Sequence, residues 1–307
     1  MPAKISIHDV IVLGAGPAGI SCALECHENA LDVVVLERES RLGGQLPSIP
    51  SPICNFAGGS FENGEKMREQ MEKVAQLFLC ERIKVGCNVL GINLARKEIE
   101  TEYGIFKGKT ILLSTGYRVR RLDMRIPEAF ADDVIYRSGP SRESLRGQPI
   151  AIVGGGDSAV FTALDLAQYC SRVTVLARSN VLKARPDLVA KLKENPAIEL
   201  HTNSIVTSLL GDDKLQSVKV SNGSSEFEVS CVKLIAKLGY MPNTELFCDQ
   251  LESSRGHIIV NANFATSIDG VFAAGDIVEP GYDRLAFAVG SGMMAARSIR
   301  ASLGQTP

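Results

Sequence analysis

Close to its amino terminus the chain reads Val10-Ile11-Val12-Leu13-Gly14-Ala15-Gly16-Pro17-Ala18-Gly19, an apolar run that turns directly into Gly-x-Gly-x-x-Gly. The run is a strand, and glycines at this spacing pass it into a helix through a tight turn. Gly14 allows the reversal, Gly16 removes the side chain that would hold a diphosphate off the backbone, and Gly19 lets the helix lie against the strand. Amides of the first helical turn then face an anion. A second apolar run, Val33-Val34-Val35-Leu36, ends at Glu37, where this kind of turn needs an acceptor for a ribose 2′-hydroxyl. These residues together predict a dinucleotide site.

The device occurs twice. Pro149-Ile150-Ala151-Ile152-Val153 leads into Gly154-Gly155-Gly156-Asp157-Ser158-Ala159, and Val173-Thr174-Val175-Leu176 supplies its second strand. The expected class is α/β, with two Rossmann-like (three-layer ββα) dinucleotide-binding domains. A chain of 307 residues, 45% of them hydrophobic, is long enough to build both. A net charge of -2 with no long basic run argues against a nucleic-acid binder. No apolar run reaches the roughly 18 residues of a membrane span, and the amino terminus has no signal-peptide pattern, so a cytoplasmic chain off the membrane is expected. Eight cysteines are scattered without Cys-x-x-Cys or metal-ligand spacing, so no metal is expected. Cys22 and Cys26 share a helix face as small apolar residues.

Between the glycine turns, Arg41-Leu42-Gly43-Gly44-Gln45-Leu46 precedes a proline-rich stretch, residues 47–59, that reads as an irregular loop able to wrap a ligand. Glu65 to Leu79 reads as an amphipathic helix. Short strands are expected near Lys84–Val89, Glu98–Thr101 and Lys109–Leu113, and Ser114-Thr115-Gly116 closes the first block. Residues 117–145 suit a crossing between domains. A helix is expected over Ser158–Tyr169, a strand over Ile198–His201, a hairpin within Ile205–Val229 and a buried strand over Leu234–Leu238. Gly270 to Ile277 is an apolar strand ending at Gly275-Asp276. A closing helix follows over Arg284–Arg300, with Gly290 and Gly292 at its start. Asp276 suits a bond to a ribitol hydroxyl, and the helix amino terminus suits a flavin.

In order along the chain, Gly14-Ala15-Gly16-Pro17-Ala18-Gly19, Gly43-Gly44-Gln45-Leu46, Ser114-Thr115-Gly116, Gly154-Gly155-Gly156-Asp157-Ser158-Ala159, Gly239-x-x-Pro242-Asn243-Thr244 and Gly275-Asp276 resemble the low-molecular-weight thioredoxin reductases. The resemblance implies an FAD domain from both chain ends (residues 1–116 and 245–307), an inserted NAD(P)-type domain (117–244) and a homodimer. It implies that Gly14, Gly16, Pro17, Ala18, Gly19 and Glu37 hold the adenosine diphosphate of FAD. Gly44, Gln45, Leu46, Asn55, Thr115 and Gly116 would approach the flavin, Gly275 and Asp276 its ribitol and phosphate, and Arg284, Leu285 and Ala286 the ring edge. Gly154, Gly156, Asp157, Ser158 and Ala159 would line a second diphosphate, with Arg178 and Lys183 as what remains of an NADPH 2′-phosphate clamp.

Two departures shape the functional expectation. Where the family carries its catalytic Cys-x-x-Cys, this chain has Arg137-Ser138-Gly139-Pro140, so dithiol exchange by that route is excluded. The family's His-Arg-Arg-x-x-x-Arg pattern is here Ala177-Arg178-Ser179-Asn180-Val181-Leu182-Lys183, which forfeits bidentate contacts to phosphate. No carboxylate ends the Val173–Leu176 strand either, and NADP(H) is favoured over NADH. The expected enzyme is an FAD oxidoreductase passing electrons between NADPH or reduced ferredoxin and an acceptor, with ferredoxin, flavodoxin or a small disulfide protein as partner. It is also similar, in part, to the thioredoxin-reductase-like ferredoxin/flavodoxin NADP reductases. Three alternatives stand beside this: a second FAD or other nucleotide in the inserted domain, as in two-flavin relatives; a disulfide oxidoreductase using Cys54; and a non-enzymatic flavin-binding protein.

Overall fold

Residues 5–49, 52–137, 142–279 and 284–305 are described by the computed structural model. Chain order begins with β1 (Ile5–Leu13), α1 (Pro17–Glu28), β2 (Val33–Leu36) and α2 (Gly64–Phe78). Strands β3 (Ile83–Lys84), β4 (Val89–Asn93), β5 (Glu98–Thr101), β6 (Gly104–Leu113), β7 (Tyr117–Val119) and β8 (Val134–Ile135) follow. Next come β9 (Pro149–Val153), α3 (Asp157–Leu166), β10 (Arg172–Leu176), α4 (Pro186–Glu194) and β11 (Ile198–His201). Strands β12 (Ile205–Leu210), β13 (Ser217–Ser221), β14 (Glu226–Ser230), β15 (Lys233–Ala236) and β16 (Tyr240–Pro242) lead to β17 (Ser253–Ser254) and β18 (His257–Ile258). Strand β19 (Val271–Ala273) and helix α5 (Leu285–Ser302) end the series.

The chain divides into two compact units, residues 1–118 with 241–307, and residues 119–240. The sequence boundaries were expected at 116/117 and 244/245. Backbone and side chains explain the offset: Asn243 N–H donates to Gly116 O (2.9 Å), Asn243 Nδ2 donates to Thr115 O (2.9 Å), and Arg118 pairs with Glu245, so both ends of the crossing belong to the first unit.

In the first unit the sheet order is β3-β2-β1-β6-β5-β4, and β19 also pairs with β6. Strand β6 pairs with β1 along one edge and serves two partners along the other. Its first part is antiparallel to β5, and Ile111–Leu113 run parallel to β19. Val10–Leu13 of β1 and all of β2 are apolar on both faces because both faces are covered there. Val10, Val12, Val33 and Val35 pack under α1 and α5, whereas Ile11, Leu13, Val34 and Leu36 pack on the opposite side with Phe247 and Ile258. Helices α1 and α5 touch closely: a Cβ on Gly292 would lie 2.1 Å from Ala18 O, and Ser21 Oγ donates to Val289 O at 2.8 Å.

The second unit has the parallel order β11-β10-β9-β15-β8. Helices α3 and α4 cover one face through Val160, Ala163, Leu188 and Leu192; the antiparallel β12-β13-β14 sheet covers the other through Val206, Val218 and Val229. These three layers realise the expected ββα arrangement.

Element bounds differ locally from the sequence reading. Strand β1 starts at Ile5 because the Ile5-x-Ile7 alternation pairs with Ile105 to Gly108 of β6. The strand expected over Lys84–Val89 is a turn at Gly86 (φ 65°) between β3 and β4, and α3 stops at Leu166. Gly290 and Gly292 lie inside α5 rather than at its start, where the second of them permits the approach to α1. No described helix is long and apolar enough to cross a membrane.

Candidate functional site

The first glycine turn sits at the carboxyl ends of β1 and β2, which are in register from Val10↔Val33 to Leu13↔Leu36. Gly14 has φ 106°, and its N–H donates to Leu36 O at 2.8 Å. A Cβ there would stand 2.5 Å from Ser114 O, and one on Gly19 would stand 1.9 Å from Gly14 O. Gly16 is different. It caps α1 with no side-chain cap, and a Cβ there meets nothing closer than Gly44 Cα at 4.0 Å. With Pro17 at the first helical position, the amides of Ala18 and Gly19 have no intrahelical acceptor and remain for an anion.

Glu37 is only 8% exposed. One carboxylate oxygen accepts from Ala15 N–H (2.7 Å) and the other from Glu39 N–H (2.8 Å). These bonds hold the carboxylate beside the turn, and a carboxylate keeps further lone pairs for ribose hydroxyls. The Gly43-Gly44 turn is docked on the same loop, since Gly43 N–H donates to Ala15 O (2.9 Å) and a Cβ on Gly44 would come within 3.3 Å of Gly16 Cα. Gly43 cannot carry a side chain either, because the stem of buried Arg68 would lie 2.5 Å away. Arg68 is in turn held by Glu65 (2.9 Å) and Glu72 (2.7 Å).

Around this turn the other candidates gather as follows. Gln45 Nε2 donates to Tyr117 O (2.8 Å), which orients its carboxamide. Leu46 is buried with Ile53 and Met67, and Leu285, in the first turn of α5, packs on that cluster. Thr115 Oγ1 donates to Asn243 O (2.6 Å), and Gly116 has φ 63° with open space where a Cβ would be. Gly275 has φ 75°, and a Cβ there would approach Ala18 Cβ to 3.0 Å, so Asp276 is delivered to the start of α1. Helix α5 begins beyond Arg284, without a side-chain cap, and Ala286 is exposed in its first turn. Cys54 and Asn55 are exposed on the loop closed by the Ile53–Phe61 bridge.

The second turn repeats the logic in the second unit. Gly154 has φ 142°, and a Cβ there would lie 2.3 Å from Lys237 O. Gly156 caps α3 with nothing within 4 Å of a Cβ and no side-chain cap. Asp157 opens the helix and accepts from Arg185 N–H (2.8 Å); Ser158 is exposed and Ala159 buried behind it. Gly155 O accepts from Lys183 N–H (2.7 Å) and Ala184 N–H (3.1 Å), so the segment bearing the old clamp is tied to the turn by its backbone. Arg178 and Lys183 are exposed, and the residue that follows β10 is buried Ala177, not a carboxylate.

Both turns fit a diphosphate, and Glu37 makes the first fit a ribose as well. The sequence names Ser114 within a motif but gives it no role; its hydroxyl proton is shared between Leu13 O (3.0 Å) and Gly14 O (3.1 Å), and Arg68 is marked by no local pattern. Cys22 and Cys26 are buried with sulfurs 3.9 Å apart; the hydrogen bond to Cys26, then burial, pushes the Cys22 thiol well up, so it stays protonated. Burial pushes Cys231 to about 12. Of the segment 137–140, where the dithiol of the resembling family falls, Arg137 is described and exposed, and Ser138, Gly139 and Pro140 lie outside the described residues.

The family model for pyridine nucleotide-disulphide oxidoreductases matches residues 8–295. The 34.2 kDa protein in the rubredoxin operon of Clostridium pasteurianum is 30% identical over 302 residues, covering 96% of this chain and 97% of that one. An NADH dehydrogenase of Ferdinandcohnia aciditolerans is 32% identical over 94% of this chain, which spans 56% of that protein. The crystal structure of Lactococcus lactis thioredoxin reductase (FR conformation) aligns with a TM-score of 0.75 at 28% identity, covering 97% of this chain and 100% of that one. The chain therefore belongs to the pyridine nucleotide-disulphide oxidoreductases, flavin-dependent enzymes whose members bind FAD and NAD(P)H.

Proposed function

We propose that the first unit binds FAD, that the second binds a pyridine nucleotide, and that electrons pass through the flavin between that nucleotide, or reduced ferredoxin, and a small redox protein. The observation that carries this reading is the pair of uncapped glycine turns, of which only the first is followed by a buried carboxylate. The isoalloxazine supplies the redox chemistry when bound; the protein supplies position and electrostatics. Ala18 and Gly19 amides and the α1 dipole hold the diphosphate, and Glu37 accepts from the adenosine ribose. Asp276 holds the ribitol, while Gln45 and the first turn of α5 present donors toward the ring edge. In the second unit Gly154, Gly156, Asp157, Ser158 and Ala159 line the diphosphate site, and Arg178 and Lys183 favour NADPH by charge alone. That selectivity is shallow, because exposed point charges replace a bidentate clamp.

A small redox protein as acceptor is supported by the relative from a rubredoxin operon. The chain is further read as a cytoplasmic homodimer. Anaerobic stopped-flow mixing of the purified protein with NADPH, NADH and reduced ferredoxin tests the assignment. Bleaching of the flavin absorbance by at least one pyridine nucleotide is expected, with NADPH the faster. Failure of all three donors removes the proposed electron path.

A further inference from the structure

Among the described lysines and arginines of the second unit, only Lys233 and Lys237 are withdrawn from full exposure. Lys233 has a partner: its ammonium pairs with Asp133 at 2.5 Å. Lys237 has no carboxylate within ion-pair distance among the described residues; its Nζ donates to the carbonyl of Arg137 at 2.6 Å. An ammonium carries three donors, so this bond leaves capacity for an anion. Burial holds the Lys237 amine below the usual lysine range, as expected for a charge withdrawn from water without gaining a counter-charge.

The place of this lysine in the sheet matters more than its burial. Strand β9 lies between β10 and β15: the chain leaves β9 toward β10 and β11 on one side and returns on its other side as β15. Ligands of open α/β sheets bind in the crevice beyond the carboxyl ends of the strands at such a switch point. Lys237 is the first residue past β15 on that side. Its N–H donates to Val153 O (2.7 Å), the last residue of β9, and its carbonyl is the atom that forbids a side chain on Gly154. The Lys237 backbone therefore adjoins the Gly154–Gly156 turn beyond the carboxyl ends of β9 and β15, where such a crevice is expected.

The geometry points to Lys237 as an anion-binding residue of the second nucleotide site, contacting the diphosphate or the phosphate-bearing ribose of the bound pyridine nucleotide from the β15 side. This rests on the proposed nucleotide occupancy of the second unit and adds a cation that the glycine motif and the residual clamp do not contain. The interaction serves NADH and NADPH alike, because both carry the diphosphate, and so compensates for the eroded clamp without restoring its selectivity.

Calorimetric titration of the purified full chain with NADPH and with NADH, at several salt concentrations, tests this in the wild type and in Lys237→Gln and Lys237→Arg. Glutamine keeps a donor for the Arg137 carbonyl and removes the charge. Removing a charge-assisted hydrogen bond to phosphate in this way weakens the binding of both nucleotides by about tenfold to a hundredfold. Lys237→Arg is expected to stay within a few-fold of the wild type, and the salt dependence of affinity should flatten in Lys237→Gln only. Inorganic pyrophosphate should compete with NADPH more weakly in Lys237→Gln than in the wild type. Unchanged affinity in Lys237→Gln, or equal losses in both variants with a lowered melting temperature, overturns the inference and leaves Lys237 as a strut for Arg137. A wild type that binds neither nucleotide instead overturns the nucleotide assignment of the second unit itself.

Discussion

Gly16→Ala separates folding from flavin binding. Gly16 has φ -76°, which any residue adopts, and the added methyl finds Gly44 Cα at 4.0 Å, an ordinary van der Waals distance. Losing glycine as helix cap costs a few tenths to about 1 kcal/mol, and stiffening the unfolded chain returns about 0.4–1 kcal/mol. The net change in stability is about zero, within roughly 1 kcal/mol. The bound diphosphate, by contrast, must come within hydrogen-bonding distance of the turn's backbone, and the methyl occupies part of that approach. Loss of two charge-assisted amide–phosphate bonds corresponds to about 3–6 kcal/mol, or about 10²- to 10⁴-fold in FAD affinity. Gly14→Ala is the contrasting case. At φ 106°, with Ser114 O only 2.5 Å from the new methyl, strain and overpacking together cost about 2–6 kcal/mol, a large share of a domain's stability. The assay is paired: circular dichroism melting of the flavin-stripped protein, and FAD titration followed by quenching of flavin fluorescence. Wild-type FAD affinity in a normally folded Gly16→Ala protein would refute the placement of the diphosphate at this turn.

Three further outcomes follow from the same geometry. Gly156→Ala, whose methyl meets nothing within 4 Å, should weaken NADPH and NADH binding by about 10²-fold or more while the melting curve and bound flavin are kept, read by calorimetry and absorbance. Asp133 is buried, yet the Leu215 N–H (2.9 Å) and the Lys233 ammonium outweigh that burial and hold its carboxyl below the usual range. Its contribution is therefore complete above the unfolded value of about 3.9 and is lost as pH falls through the lower folded value, so melting scans from pH 6 downward should show an acid decline that Asp133→Asn flattens. Cys54→Ser, at an exposed loop thiol, should leave steady-state turnover with a disulfide acceptor unchanged; a loss above about tenfold would support the Cys54 disulfide chemistry.

The parts of the fold legible in the sequence are those in which chemistry and backbone coincide. Gly14, Gly19 and Gly154 are glycines because a Cβ would strike backbone oxygens at 2.5, 1.9 and 2.3 Å, and that necessity is written as a motif. The doubly apolar runs Val10–Leu13, Val33–Leu36 and Ile150–Val153 are equally plain, since a parallel sheet covered on both faces favours apolar residues at successive positions. What the sequence conceals depends on distant partners. Gly86 looks like a residue within a strand until its positive φ makes it a turn. Arg68 reads as a solvated helix residue, yet it is 7% exposed and props the Gly43 turn. Lys237 falls inside the strand expected over Leu234–Leu238; only the end of β15 at Ala236 and the order of β9 and β15 in the sheet place it beside the second glycine turn.

The direct test of two turns holding two different dinucleotides is nucleotide stoichiometry. The purified chain should carry one FAD per polypeptide, released by Gly16→Ala and not by Gly156→Ala, and should titrate with one further equivalent of NADPH or NADH. Colourless protein that takes up no FAD, or two FAD per polypeptide, would contradict it.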